Sequence, residues 1–398
     1  MKHAASTVPF YKKMYQENRV NPEDVVPENW ADVPILSREM LQGTRIVSSD
    51  IPGFHGQTMT TTTSGSTGEP VIINTTTYAQ SIWHAFSLRE HLWHKRDFSG
   101  RHASIKYIPG IEAEADGTHL PNWCPIMAQF FETGPSMHLC IKNSVDRQLK
   151  WLEQQNPHYL VTYPSNLQAL LEKSVEDNVR LDNLKEVRTI GETVGPNLRR
   201  ACRDTWGVRA VDTYSSQEVG YIAIECPTGE HYHVQAENVF LEVLDPDGQP
   251  CQPGEIGRVV ATSLHNFATP LIRYEIRDYA EVGSPCSCGR GLPVINRIVG
   301  RQRNMLIMPT GEKHWPVFGM LEFRQVVPIK QMQFVQHSVE LLEFNYTAER
   351  VVTEEEKMQL QVIIHKSLGH PFSIRFTQVE QIPQRENGKI EDFISHIV

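Results

Sequence analysis

The stretch from 144 to 216 constrains the fold most. It alternates amphipathic segments with short apolar runs: SVDRQLKWLEQQN (144–156), HYLVTY (158–163), SNLQALLEKSVEDN (165–178), EVRTIGE (186–192) and VRAVDTYSS (208–216). The long segments repeat apolar residues at helical spacing. The short runs have strand length and strand residues. Helix alternating with strand predicts an α/β layer. Each run ends in a polar or glycine-containing loop, the edge at which such sheets bind ligands. YAQSIWHAFSLREHLWHK (78–95) reads as a further amphipathic helix. Ser37 and Ser165 are candidate helix N-caps, because a serine oxygen can accept a bond from the first-turn amides.

From about residue 233 the rhythm changes to consecutive strands. NVFLEVLD and GEIGRVVATSL flank the turn-rich PDGQPCQP, and PLIRYEIRDYAEV (270–282) continues the series. Near the C-terminus, TEEEKMQLQVIIHKSLG (353–369) is a well-marked helix. Thr353 is its N-cap, Glu356 completes a capping box and Gly369 stops it. The expected class is α/β: a large N-terminal α/β domain with a β-rich subdomain over 1–301, and a small C-terminal α+β domain over 302–398.

Composition removes several classes of function. Of 398 residues, 40% are hydrophobic and 21% charged, and the formal net charge is −9. An acidic chain has no global field to gather nucleic acid, so a nucleic-acid partner is not expected. No apolar run approaches the roughly 18 residues of a membrane span. The segment MKHAASTVPFYKKMYQ lacks the apolar region of a secretory leader, and a cytoplasmic protein is expected. Seven cysteines then suggest free thiols or metal ligands rather than disulfides. ECPTGEHYHV supplies Cys226, His231 and His233, and PCSCGRG supplies Cys286 and Cys288. Cys226, His233, Cys286 and Cys288 form a candidate structural zinc set of soft thiolates and an imidazole. His231 is the alternative imidazole, and free thiols in loops are the plain reading.

Four other patches carry chemistry. TTTTSGSTGEP (60–70) has Thr63, Ser64, Gly65, Ser66, Thr67 and Gly68. Its glycines and hydroxyls suit an anion nest, and they equally suit a flexible surface loop. It is not a Walker loop, since Glu-Pro follows Gly68. The strand-like EPVIINTTT after it suggests a hairpin. In DTYSSQEVG (212–220), Tyr214 offers a flat face and Glu218 a hard oxygen for Mg²⁺; the same loop would serve as a helix cap. In RYEIRDYAEVG (273–283), Asp278 can accept two ribose hydroxyls or pair with Arg273 or Arg277. In PQRENGKIEDF (383–393), Lys389 stands on a turn where a lysine is usually only a solvated charge. Histidines and tryptophans between 82 and 138, including His84, His91, Trp93, His94, Trp123 and His138, suit a pocket or a core and are given no catalytic role.

In their order these patches resemble the adenylate-forming superfamily, closest to its phenylacetate–CoA ligase-like branch, which carries a similar Cys/His cluster. The resemblance extends over nearly the whole chain. It implies that Thr63–Gly68 hold the β- and γ-phosphates of ATP. Gly191 and Glu192 would line the adenine and acyl pockets. Asp212, Tyr214 and Ser215 would meet the nucleotide, with Tyr214 against adenine. Glu218 would hold Mg²⁺, Asp278 the ribose, and Arg301 would close the Gly-Arg pair. Lys389 would be the catalytic lysine, bridging substrate carboxylate and α-phosphate from a mobile C-terminal lid domain. The chain departs from the pattern at Val71, where a lysine is common, at Ser215, where a glycine is usual, and at Arg303 and Asn304, where the hinge is usually acidic. The implied reaction forms an acyl-adenylate from an aromatic or other small carboxylic acid and ATP. The acyl group then passes to CoA, a carrier-protein thiol or an amine, the last making the enzyme an amide-forming ligase. A non-catalytic nucleotide- or zinc-binding homologue is the reading from another class. Oligomeric state is not legible.

Overall fold

The computed structural model describes residues 1–62, 71–107, 116–301, 304–314, 316, 320–383 and 391–397. The chain forms two compact units, Met1–Ile298 and Val299–Val398. Their division falls inside the strand Val294–Arg301.

The first unit is built on a large sheet. From one edge the strands run Val239–Leu244, Ile256–Ser263, Tyr274–Val282, Val294–Arg301, Tyr232–Val234, Gly220–Glu225, Arg209–Ser216, Glu186–Ile190, Tyr159–Thr162, His102–Lys106, Ser136–Cys140 and Thr118–Leu120. Strands from Ser136–Cys140 to Arg209–Ser216 pair in parallel. Beyond Arg209–Ser216 the pairing turns antiparallel. The three runs read as strands at 158–216 are all present. So are the helices Thr77–Trp93, Val145–Gln155 and Pro164–Glu176.

Parallel strands joined by crossover helices must be covered on both faces. On one face Ala103, Ile105, Leu160, Val187 and Ala210 meet Leu149, Leu152, Leu167, Leu170 and Leu171 of the helices. The opposite face carries helix Thr77–Trp93, through Phe86 against Tyr221 and Ile224. The antiparallel part is covered by the N-terminal segment, where Tyr11, Tyr15 and Leu36 pack with Ile222, Val259 and Tyr274.

Among the elements the sequence reading does not anticipate are the strands His102–Lys106 and Ser136–Cys140 and the helix Pro196–Trp206. Both strands put histidine and serine on alternate positions, which resembles a surface pattern. One cap was misread. Ser165 is inside the first turn of its helix, whose N-cap is Tyr163 with Pro164 at the first helical position. Proline suits that place because the missing N–H has no partner there in any case. Ser37 does cap its helix, accepting the Met40 amide at 3.3 Å. Strands Thr58–Thr62 and Ile72–Thr76 pair antiparallel with Thr62 opposite Ile72, as expected for a hairpin around 63–70.

The second unit is a four-stranded sheet in the order Ser373–Gln378, Leu341–Ala348, Ile329–Ser338, Phe393–Ser395, with helices Met320–Val326 and Glu354–Leu368. Phe334 and Phe344 stack at 4.6 Å and Phe323 lies 5.6 Å from Phe344. Thr353 and Glu356 make the reciprocal capping bonds, and Gly369 closes the helix at φ +70°. No helix among the described residues is long and apolar enough to cross a membrane.

Phe344→Ala should cost about 3–5 kcal/mol of local stability by opening a cavity in a fully buried aromatic stack. Thr353→Ala should cost about 1 kcal/mol. Hydrogen exchange on the full chain checks both: amides in 329–348 and 354–368 should exchange faster while those of the first unit's sheet keep their protection.

Candidate active site

The C-terminal edge of the parallel strands gathers several of the expected residues. Gly191, at φ +75°, turns the chain out of strand Glu186–Ile190. Glu192 then reaches the start of helix Pro164–Glu176. Its carboxylate accepts the Ser165 amide at 2.8 Å and the Ser165 hydroxyl at 3.0 Å. A carboxylate there satisfies an orphan helix donor and meets the positive end of the helix dipole. Glu192 therefore does the capping that the sequence suggested for Ser165.

Tyr214 donates to Asp278 at 2.8 Å. Their strands, Arg209–Ser216 and Tyr274–Val282, lie four places apart in the sheet. A flat sheet would hold them about 19 Å apart at roughly 4.8 Å per strand. The antiparallel part must therefore curl, which sheet twist and the register shift between Tyr214 and Ser215 both favour. This curl joins the expected adenine face to the expected ribose carboxylate. The plain reading of Asp278 as a surface ion pair with Arg273 does not hold, because Asp278 is buried and the Arg273 guanidinium binds Glu242 through two bonds of 3.1 and 2.9 Å. Arg277 pairs with Glu39 instead.

Glu218 is held by Arg38 at 3.3 Å, and Arg38 also approaches the Tyr274 hydroxyl at 3.5 Å. Arg38 was not singled out from sequence. It is 180 positions from its partner, and nothing local marks it. Its place follows from chain pairing: Leu36 accepts the Glu275 amide and donates to the Arg273 carbonyl. Ser215 lies in the hairpin opposite Tyr221. Arg301 ends the strand Val294–Arg301. Asn304, at the hinge position, donates to the Phe393 carbonyl at 2.5 Å within the second unit.

Asp212 takes a different part from the one expected. It is buried, and its oxygens accept from Thr189 and from Tyr232, each at 2.8 Å. Its amide donates to Glu225, which pairs with Arg199 at 2.8 Å. Burial raises the Asp212 carboxyl above the ordinary aspartate range, against the pull of Thr189, Tyr232 and Arg199. The same cause pushes Glu225 up to about 7. Asp212 is a strut inside the sheet rather than an open ligand group. Residues Thr63, Ser64, Gly65, Ser66, Thr67, Gly68, Arg303 and Lys389 lie outside the described residues.

The cysteine and histidine residues do converge. The turn after strand Gly220–Glu225 returns into Tyr232–Val234, which brings Cys226 beside His231 and His233. The loop before Val294 brings Cys286 and Cys288. Ligand atoms of Cys226, His231, His233 and Cys286 lie within 4.8 Å of one another. The geometry thus draws in His231. Cys288 touches the group through His233, with its sulfur 3.2 Å from Nε2. Buried His231 Nε2 and His233 Nδ1 have no hydrogen-bond partner. A tetrahedral zinc needs donors about 3.3–3.8 Å apart, given bonds of roughly 2.0–2.3 Å. Modest contraction would suffice, so this donor set fits zinc.

A layer of charge lies between helix Thr77–Trp93 and the sheet. Glu90 is fully buried, at 3.0 Å from Arg96 and 2.7 Å from Arg188. Tyr221 accepts from Arg188 at 2.6 Å. Burial opposes ionisation of Glu90, but the two guanidinium groups keep its carboxyl below the ordinary range. His91 and Trp123 are core residues here, and His94 bonds the Glu225 carbonyl at 3.1 Å.

The family described as AMP-binding enzyme matches residues 58–268, more than half of the chain. Phenylacetate-coenzyme A ligase of Pseudomonas putida is 24% identical over 348 residues, covering 83% of this chain and 74% of that protein. The enzyme of the same name from Escherichia coli K12 is 24% identical over 319 residues, covering 77% and 70%. Among solved structures, 2-hydroxyisobutyryl-CoA ligase in its postadenylation state superposes with a TM-score of 0.73. It is 17% identical, covering 99% of this chain and 86% of that one. The chain belongs to the AMP-binding enzyme family, in the phenylacetate–CoA ligase-like branch of the adenylate-forming superfamily, and is an AMP-forming ligase.

Proposed function

We propose that this ligase activates a small organic carboxylic acid with ATP and passes the acyl group to a thiol, with CoA first in order. The observation that carries the reading is the Tyr214–Asp278 hydrogen bond, which couples an aromatic face to a buried carboxylate beside Glu218. The names of the Pseudomonas and Escherichia relatives support CoA as the acceptor.

In this reading Tyr214 packs on adenine and Asp278 accepts the ribose hydroxyls. Glu218, now beside Arg38, would hold Mg²⁺, which would neutralise phosphate charge when bound. Thr63–Gly68 hold the departing phosphates. A carboxylate oxygen of the substrate attacks the α-phosphorus. The bond from that phosphorus to the bridging oxygen breaks, and pyrophosphate leaves. Lys389 would supply the cation that offsets charge growing between carboxylate and phosphate. The acceptor then attacks the acyl carbon, and AMP leaves. The second unit, with the hinge near 301–304, acts as the lid that delivers and withdraws Lys389.

Zinc at Cys226, His231, His233 and Cys286 is the structural part of the proposal, with Cys288 the competing donor. It would tie the turn after Glu225 to the loop before Val294, and so brace the curl that joins Tyr214 to Asp278.

Lys389→Ala should lower acid-dependent pyrophosphate release by at least about 10²-fold, the scale of losing one charge-stabilising donor, with thermal unfolding unchanged. Activity equal to the wild type would overturn the role. Metal analysis of unchelated protein should find about one zinc per chain. Cys226→Ser should lose that zinc and lower the midpoint of thermal unfolding. A folded, zinc-free preparation with the same midpoint would remove the metal from the account.

A further inference from the structure

The strand His102–Lys106 has two unlike faces. Ala103 and Ile105 are buried in the aliphatic core beneath the crossover helices. His102, Ser104 and Lys106 take the other face, because side chains alternate along a strand. Ser136 and His138 of the neighbouring strand stand opposite His102 and Ser104. His138 is held at both nitrogens, by Ser104 at 2.6 Å and Ser136 at 3.1 Å, and His102 meets Ser136 at 3.2 Å. Two strands away Arg188 is committed to Glu90 and Tyr221. This face is therefore polar and cross-linked, and among the described residues Lys106 stands apart in having no side-chain partner.

Lys106 is half-buried, and no carboxylate among the described residues lies within ion-pair reach of its ammonium. Burial and the nearby Arg188 guanidinium hold its pKa below the ordinary lysine value. Lys106 also ends its strand, at the edge where the site is built. The next amide, that of Tyr107, donates to the Tyr163 hydroxyl at 3.2 Å. Tyr163 leads into the helix whose Ser165 binds Glu192. A second cation, Lys142, stands 5.9 Å from the Tyr107 ring. Lys106 is three strands from Tyr214 along this edge, beyond the strand that Gly191 leaves and away from the Tyr214–Asp278 pair; in the adenylation reading that is the acyl side.

We infer that Lys106 is a specificity residue that receives a second anionic group on the carboxylic acid, so that the substrate is a dicarboxylate or a similarly charged acid rather than a plain aryl acid. The inference rests on the adenylation reading above. A half-buried ammonium without a counter-ion disfavours an apolar acyl tail and is stabilised by an anion, since hydrogen bonds between charged groups are the strong ones. The serine-held histidines beside it supply further polar contacts at the same face.

The test is pyrophosphate release with Mg·ATP across pairs of acids matched in length, one with a second carboxylate and one with a methyl in its place. The full-length wild type should prefer the dicarboxylate member. In Lys106→Met the ratio of kcat/KM between the two members should fall at least about 30-fold, mostly through KM, the scale of a lost charged hydrogen bond. Lys106→Arg should restore most of the preference. Equal or greater turnover of the monoacids by the wild type would overturn the inference while leaving adenylation standing. A ratio unchanged in Lys106→Met would do the same. If no acid of either kind released pyrophosphate, the adenylation reading would fail and this inference with it. Circular dichroism of each variant separates loss of charge from loss of fold.

Discussion

The guanidinium of Arg273 holds together the end of the candidate site where Tyr214 meets Asp278. It is buried, adopts φ +48°, binds Glu242 twice, and donates to the carbonyls of Ala31 and Val33 at 2.8 and 2.6 Å. A buried charge so well satisfied is tolerable, whereas removing one partner would strand the other at a cost of about 3–5 kcal/mol. Through this clamp the N-terminal segment lies against strand Tyr274–Val282, and Leu36 pairs with its start. Two residues on, Arg38 meets Glu218. Asp278, on the same strand, meets Tyr214 across the curl. Positive φ at Arg273 and at Arg277 is uncommon for a side chain with a Cβ, and both lie in the segment that the site depends on.

The strands and helices over 144–190 and the helix Glu354–Leu368 were legible because their signals are local. Helices Val145–Gln155 and Pro164–Glu176 carry apolar stripes, and Glu354–Leu368 has both its capping box and its terminal glycine. The strands His102–Lys106 and Ser136–Cys140 escaped notice because a buried polar face reads like a solvated one. Within the candidate site, motif order singled out Tyr214 and Asp278, which the fold brings into hydrogen-bond contact. Arg38 was not, since its relation to Glu218 exists only after the N-terminal segment folds back. Asp212 and Ser165 were misjudged for one reason: each has a neighbour distant in sequence, Tyr232 or Glu192, that takes up its hydrogen-bonding capacity. The cysteine spacing pointed to a metal set, but the choice between His231 and His233 needed the hairpin that presents both.

The two faces of the sheet divide the labour. The crossover-helix face is aliphatic and supplies the core. The face beneath helix Thr77–Trp93 is built from Glu90, Arg96, Arg188, Tyr221 and the serine-held histidines, and it leads to the edge where Gly191 and Glu192 sit. Such a layer is costly to desolvate unless each charge is paired. Its pairing is dense, so a Lys106 with no carboxylate partner among the described residues is conspicuous at its rim on energetic grounds. In the proposed reading, nucleotide recognition would belong to the curled antiparallel strands and acid recognition to the rim of the parallel ones.

The central claim is that a carboxylic acid and ATP form an acyl-adenylate at this site before any acceptor takes part. Exchange of labelled pyrophosphate into ATP, measured without CoA or amine, tests it most directly. Label should enter ATP only when a carboxylic acid is present, and the exchange should fall sharply in Asp278→Ala, which removes the proposed ribose acceptor. Exchange that does not depend on acid, or none with any acid of a broad panel, would contradict the account.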